Sequence, residues 1–361
     1  MRVLFIANND PRKRYRFLLE PLSETETDVS LFDASGALIP TLVKAYGVLR
    51  NRPRAQAIIL IGGDIRNFIW FTMALALTDA RVVLRFGGDP LVVRDSVERG
   101  FRAQRRWLDL VRSFVGKSLT RFMLGRVHGV VVVSDYLLQS MRAALGGKVR
   151  ALVLAPVIKS PGSIDIRRQD KKPAEALHLL TVTNLNYREK ADGVIAIANA
   201  IAGLVSSSGI TTRLRYDIVG GGYQLDYVER ALSQIRDQEN VEILLQGKSD
   251  RVGEFYGRAD IFVYCSTLDG YPLVLCEAQS YGLPIVANRW GAFPDMLNQD
   301  EDALFFNTDD PDDIGRVLGR LLEDETLRER LSQGAIANFE KNNSSARCGK
   351  RLKQFLEDLT E

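Results

Sequence analysis

Two series of short apolar segments, each alternating with segments of helical length, limit this 361-residue chain more than any other feature. The first series puts strands at residues 2–7, 28–32, 57–61, 81–86, 130–133 and 151–154, with helices near 39–49 and 67–77. A basic helix carrying Arg12, Lys13, Arg14, Tyr15 and Arg16 is expected after the first strand. The second series puts strands at 177–183, 214–219, 241–245, 261–264, 285–288 and 303–306. Its helices are expected at 193–205, 225–238, 251–257, 311–323 and 326–342, with a last one at 350–359. Segments such as 57–61, 130–133 and 261–264 are continuous apolar runs, so each sheet is expected to be covered on both faces; strands alternating with helices form parallel βαβ units. Between the series, residues 160–174 hold Pro161, Gly162, Pro173 and several charges, the composition of a linker. The reading is α/β, with a first Rossmann-like domain over 1–160, a linker over 161–176, a second over 177–342 and a C-terminal helix over 343–361. In open sheets of this kind ligands bind outside the carboxyl ends of the strands.

The second series contains Ser266-Thr267-Leu268-Asp269-Gly270-Tyr271-Pro272-Leu273-Val274-Leu275-Cys276-Glu277-Ala278, followed by Tyr281-Gly282-Leu283-Pro284. Pro272 suits a first helical turn, because the amide proton it lacks would be unpaired there. Asp269 would then stand beside the positive helix end and its free amides, an anion site with an acid next to it. Glu277 falls about two turns inside the helix. Two carboxylates flanking such a helix end suit a sugar joined to a diphosphate; an ordinary capped helix is the alternative.

Composition closes other routes. No apolar run approaches the ~18–20 residues that span a bilayer, and the apolar N-terminus lacks the cleavage pattern of a signal peptide. Three cysteines, Cys265, Cys276 and Cys348, are odd in number and not in metal spacing, as expected of a reducing cytoplasm. With only His128 and His178, no zinc site or His-based triad is expected. The net charge of +3 conceals an asymmetry: residues 1–160 carry 25 Lys and Arg against 13 Asp and Glu, and the remainder is net −9. The first half therefore meets something anionic. Its basic stretch from Arg94 to Arg126 interleaves arginines with Phe101, Trp107, Leu108, Val111, Phe114, Val115 and Phe122, several at helical spacing. That pattern fits a surface helix with a core-facing stripe, or a basic amphipathic helix on an anionic membrane. No nucleic-acid recognition motif accompanies the charge, so no nucleic-acid partner is expected.

Asp269-x7-Glu277 with the following Ala278 to Ala287 resembles the hallmark of glycosyltransferase family 4. Val219-Gly220, the strand end at Gly247, Tyr256-Gly257-Arg258-Ala259-Asp260 and Gly291-x-x-Pro294-Asp295 extend the resemblance over the second half. It implies a GT-B fold: two facing Rossmann-like domains, a central cleft, and a C-terminal helix returning to the first domain. It implies a retaining, metal-independent transferase that moves a sugar from a nucleoside diphosphate sugar, a UDP- or GDP-sugar, to an acceptor hydroxyl. The acceptor would be a glycan or lipid-linked precursor, and the protein cytoplasmic or peripheral at the inner membrane face. No cofactor or metal is implied. A non-catalytic sugar-nucleotide-binding subunit or a nucleotide-sugar epimerase is the alternative.

By the same resemblance Asp269, where the family usually has Glu, holds donor-sugar hydroxyls, and Glu277 holds the ribose. Backbone amides over Gly270, Tyr271, Pro272, Leu273 and Val274 meet sugar and phosphates, Pro272 contributing no proton. Lys190 aligns with the diphosphate-binding Lys. Asn184 stands where an Arg is expected, and Arg188, in a lengthened loop, is the replacement. Gly247, Lys248 and Ser249 lie where the base binds; Ser249 or Asp250 as a helix cap is equally consistent. Gly220, Gly221 and Gly222 read as a tight turn or as close backbone approach to a ligand. On the first domain, Asn9, Arg85 and Asp89 are assigned to the acceptor or sugar side; Arg85 and Asp89 could equally pair to brace their loop.

Overall fold

The computed structural model describes residues 1–8, 16–51, 55–62, 64–88, 107–158, 176–208, 212–235 and 240–361. Two compact units divide the chain: Met1–Val157 with Asn342–Glu361, and Ile158–Lys341.

In unit 1, strands β1 (Arg2–Ala7), β2 (Asp28–Asp33), β3 (Ala57–Ile61), β4 (Arg81–Phe86), β5 (Gly129–Val132) and β6 (Arg150–Val153) form one parallel sheet. Its order is β2-β1-β3-β4-β5-β6, so the direction of winding reverses between β1 and β3. The described helices before β6 are α1 (Arg16–Ser23), α2 (Leu38–Asn51), α3 (Ile65–Leu77), α4 (Trp107–Leu124) and α5 (Asp135–Met141). Val3 to Ala7, Ile58 to Leu60, Val82 to Leu84 and Val130 to Val132 are buried, as uninterrupted apolar strands require.

Unit 2 interleaves β7 (Ala176–Val182), α6 (Arg188–Ser208), β8 (Arg213–Val219), α7 (Leu225–Leu232), β9 (Val241–Gly247), α8 (Val252–Arg258) and β10 (Ile261–Tyr264). It continues with α9 (Leu273–Ser280), β11 (Ile285–Asn288), α10 (Phe293–Met296), β12 (Ala303–Phe306), α11 (Asp313–Glu323) and α12 (Glu325–Asn343). The order β9-β8-β7-β10-β11-β12 is that of dinucleotide-binding sheets, with its switch point between β7 and β10. Ala191, Val194, Ile197, Ala198 and Ile201 place one stripe of α6 in the core with Leu179, Tyr216 and Val263. Each such aliphatic burial contributes about 1.5–3 kcal/mol before entropy is subtracted.

The last helix, α13 (Ser345–Thr360), joins unit 1, where Leu352, Phe355, Leu356 and Leu359 pack with Val3, Phe5 and Leu18. Gly349 permits the contact: a Cβ there would stand 2.0 Å from the Pro21 carbonyl oxygen. The return of the C-terminal helix to the first unit follows the expectation.

Some boundaries differ. The second-series helix expected to begin at Gly193 begins at Arg188. Glu189 in its first turn suits the helix dipole. Gly193 lies inside because a Cβ would meet the Cys265 carbonyl oxygen at 2.2 Å, so α6 runs against the loop after β10. The helix expected over 225–238 ends at Leu232, and residues 236–239 are outside the described ones. Residues 161–175 of the expected linker, Arg12 to Tyr15 and Arg94 to Arg106 also fall outside, and the linker's last expected residue, Ala176, opens β7.

Candidate functional site

The switch point of unit 2 brings the loops after β7 and β10 together, and with them Lys190 and Asp269. Lys190 Nζ lies 2.8 Å from Asp269 Oδ1, with the lysine side chain 7% exposed. The other carboxylate oxygen, Oδ2, accepts a 2.6 Å hydrogen bond from the Tyr264 hydroxyl at the end of β10. Burial first, then the negative charge of Asp269, raises the Tyr264 pKa far above its ordinary value, so the phenol is a fixed donor. A buried ion pair is costly to break on one side, about 3–5 kcal/mol, because the remaining charge stays desolvated.

Glu277 repeats the arrangement one helix later. Its Oε2 accepts a 2.9 Å bond from the Tyr256 hydroxyl of α8. Burial, and next the charge of Glu277, keeps that phenol protonated as well. Tyr256, Phe262, Tyr264, Phe293 and Tyr281 form an aromatic run with ring centroids 5.1–6.1 Å apart, so both hydroxyls are set by packing. The tyrosines carried no assigned role in the sequence, although Tyr256 lies in one of its quoted motifs and Tyr264 is two residues before another. Their signal was a phenol at a strand end or on a helix beside a motif acid.

Pro272 is the N-cap of α9 and Leu273 its first residue, one position later than expected. The proline's extended backbone (φ −76°, ψ 116°) explains the shift, since a capping residue has non-helical angles. Pro272 is buried, Tyr271 and Val274 are half-buried, Leu273 is exposed, and a Cβ on Gly270 would meet nothing within 4 Å. No side chain caps this helix start.

Arg188 is separated from the pair. It stands in the first turn of α6, not in a loop. Residues i and i+2 of a helix face different ways, so it points away from Lys190. Its Nε donates to Asp192 at 3.0 Å and its guanidinium lies 3.5 Å from the centre of the Tyr227 ring. Asn184 is exposed in the loop between β7 and α6.

The glycine run after β8 approaches the chain itself. Cβ atoms on Gly220 and Gly222 (both φ +155°) would lie 1.7 Å from the Thr183 carbonyl oxygen and 2.4 Å from the Leu185 carbonyl carbon. Leu185 N–H donates to the Gly221 carbonyl at 3.0 Å, and Gln224 N–H to the Leu185 carbonyl at 2.7 Å. The close approach that the structure shows is to the chain's own loop, the one that leads to Lys190. Gly247 turns with φ +68°, Lys248 is exposed, and Ser249 Oγ accepts from Arg251 N–H at 3.1 Å ahead of α8. Gln246 turns to Asp217, donating at 2.5 Å. Burial pushes the Cys265 thiol pKa up to about 12, so this loop cysteine is no nucleophile near neutrality.

In unit 1, Arg85 folds over its loop, a guanidinium nitrogen 3.2 Å from where a Gly87 Cβ would be. Asn9 and Asp89 lie outside the described residues. The switch point there is occupied by Asn8, which donates to Asp64 at 3.2 Å and accepts from the Trp70 indole at 2.6 Å. Among the described residues no three His, Cys, Asp or Glu side chains converge as a metal site would require.

Residues 163–338 match the model of the family "Glycosyl transferases group 1". Sulfoquinovosyl transferase SQD2 of Arabidopsis thaliana is 37% identical over 100 residues, 27% of this chain and 19% of that protein. D-inositol 3-phosphate glycosyltransferase of Acidothermus cellulolyticus is 30% identical over 184 residues, 49% of this chain and 40% of that protein. The chain thus spans less than half the length of these relatives. Anabaena Alr3699/HepE, solved in complex with UDP and glucose, superposes with a TM-score of 0.68 at 15% identity, covering 99% of both chains. That likeness, with two parallel six-stranded sheets, makes the fold GT-B.

Proposed function

We propose that the protein is a retaining, metal-independent glycosyltransferase that moves a sugar from a nucleoside diphosphate sugar to an acceptor hydroxyl. The observation that carries this reading is the buried Lys190–Asp269 pair at the unit 2 switch point, inside the segment that matches the family. A diphosphate offers the Lys190 ammonium a more highly charged partner than one carboxylate. When the ammonium turns to it, Asp269 Oδ1 is released to accept from a sugar hydroxyl, while Tyr264 still holds Oδ2. Glu277, oriented by Tyr256, accepts from ribose hydroxyls. The uncapped start of α9 directs its amides at the phosphates, and the Gly247–Ser249 turn meets the base.

The bond from the anomeric carbon to the leaving phosphate oxygen breaks as the acceptor oxygen bonds to that carbon on the same face. The acceptor proton passes to a phosphate oxygen, so no side-chain base is assigned. Lys190 and the α9 amides act by stabilising charge on the leaving diphosphate. Arg188 joins them only if it leaves Asp192 and Tyr227. A UDP-sugar is the first donor to test, since HepE was solved with UDP, and a GDP-sugar the second. The acceptor class is a glycan or lipid-linked precursor at the inner membrane face.

The test is transfer and donor hydrolysis measured over UDP-, GDP- and ADP-sugars, with the product anomer read by NMR and the reaction repeated in chelator. One donor should support transfer with retained configuration in both conditions. Absence of turnover with every donor, or an inverted product, rejects the reading.

A further inference from the structure

One surface of unit 1 breaks the rule that apolar faces are covered. Helix α3 lies between α2 and α4, with Phe68 of α3 edge-on to Phe122 of α4 at 5.8 Å. On α4, Trp107, Leu108, Val111, Phe114, Val115 and Phe122 are all exposed, from 41% for Val115 to 77% for Leu108. At 100° per residue they fall within an arc of about 120°. The residues that α4 buries, Gly116, Thr120, Met123 and Leu124, are on the opposite side. The stripe is therefore not the core-facing one, and that reading of the sequence is overturned.

The neighbours continue it. Apart from Arg66, Asn67 and Thr72, every residue of α3 is apolar, and Ile65 and Leu75 are exposed on its outer side. A helix apolar all round belongs in a core or against hydrocarbon. On α2, Ile39 is 75% and Val43 70% exposed, with Tyr46 one turn further. An uncovered apolar surface across three helices marks an interaction site.

Charge identifies the occupant. The three helices carry Lys44, Arg50, Arg66, Arg112, Lys117 and Arg121 against a single acid, Asp109, which is 3.4 Å from Arg112. A second copy docked by two-fold symmetry would set this positive patch against itself. A nucleic acid would meet the cations but leave the aromatic stripe unused. An anionic bilayer satisfies both, apolar side chains entering at the acyl boundary and cations at the headgroups.

We infer that the α2–α3–α4 face of unit 1 docks on an anionic membrane surface. Trp107, Leu108, Val111 and Phe114 are its principal inserting residues, with Ile39 and Val43 beside them. This placement does not depend on sugar transfer. The basic stretch of α4 is only one part of this face, since α2 and α3 supply half of the cations and much of the apolar area.

Co-sedimentation of the full chain with vesicles tests it, using phosphatidylcholine alone and phosphatidylcholine with about 30% phosphatidylglycerol. The native chain should bind the anionic vesicles and bind the neutral ones weakly. Arg112→Glu with Lys117→Glu and Arg121→Glu should lower partitioning by about a hundredfold, at roughly fivefold per basic residue removed. Val111→Ser with Phe114→Ser should lower it about tenfold or more, and Val43→Ser with Ile39→Ser by a similar factor. These side chains are exposed, so an unchanged thermal midpoint checks that each variant is folded. No binding by the native chain, or binding unaffected by every set, overturns the proposal. So does a self-association in analytical ultracentrifugation that Phe114→Ser abolishes while vesicle binding stays absent.

Discussion

The two units contain the same number of parallel strands and differ most at their switch points. In unit 1 the loops after β1 and β3 are joined by neutral donors on one carboxylate, Asn8 and the backbone of Asn67 both donating to Asp64. Trp70 extends that network by donating its indole N–H to Asn8. In unit 2 the first turn of α6, which follows β7, and the loop after β10 are joined by two opposite charges, and the carboxylate is steadied by a phenol. The first arrangement satisfies a helix cap and has no charge to exchange. The second holds an ammonium that an anionic ligand can take over. The same topology thus supplies a brace in one unit and, under the proposed function, a binding device in the other, and local side-chain chemistry makes the difference.

The largest expected effect comes from removing the exchangeable charge. Lys190→Met should lower kcat/KM for the identified donor by about 10²–10³-fold, the range for loss of one charge-stabilising group. A variant retaining near-native transfer would remove Lys190 from the mechanism. Tyr264→Phe keeps the ring in the aromatic run but leaves Asp269 without its second partner. Loss of a hydrogen bond to a charged group, about 1.5–3 kcal/mol, predicts a 10- to 100-fold loss of kcat/KM. Wild-type kinetics would show that Lys190 alone orients the acid.

The corresponding change in unit 1 should act on stability. Asp64→Ala removes the α3 N-cap and should cost about 0.5–2 kcal/mol in denaturant unfolding. A drop in kcat/KM as large as that of Lys190→Met, with stability retained, would erase the distinction between the two switch points.

The smallest effect is a shared pH response. Burial is the leading cause of a lowered pKa for His128 in unit 1 and for His178 in unit 2; Arg81 adds to it for His128. Because the folded pKa lies below the unfolded value near 6.5, each contributes stability that is complete above about pH 6.5. That contribution is lost as pH falls through the folded pKa. The thermal midpoint should fall on going from pH 7 to pH 5, and less so in His128→Gln with His178→Gln. A midpoint that rises over this interval contradicts the sign.

Much of unit 2 was legible because its signals are local. Asp269, Gly270, Pro272 and Glu277 lie within nine consecutive residues, and a loop followed by a short helix is encoded there by nearest neighbours. The strands were legible in both units because burial on two faces leaves continuous apolar runs. Arg188 was placed in a loop because the loop was extended too far: once α6 begins at that residue, its helical position turns it toward Asp192 and Tyr227. The glycine run after β8 was ambiguous because sequence cannot say which object approaches a backbone lacking Cβ atoms. The α4 stripe was ambiguous for a related reason, since periodicity reports that a face is apolar and is silent on what covers it.

The sequence by itself determined the two parallel α/β series and the acids of the motif, because these rest on short-range patterning and residue chemistry, while Lys190 entered only through the family resemblance. Only the tertiary structure decided that Lys190 and Asp269, 79 positions apart, share a buried contact. It also decided that Tyr264 and Tyr256 orient the two acids, and that three helices of unit 1 leave their apolar faces outward. Pairing, orientation and cover depend on which distant segments the sheet order brings together, and that is a property of the packed chain.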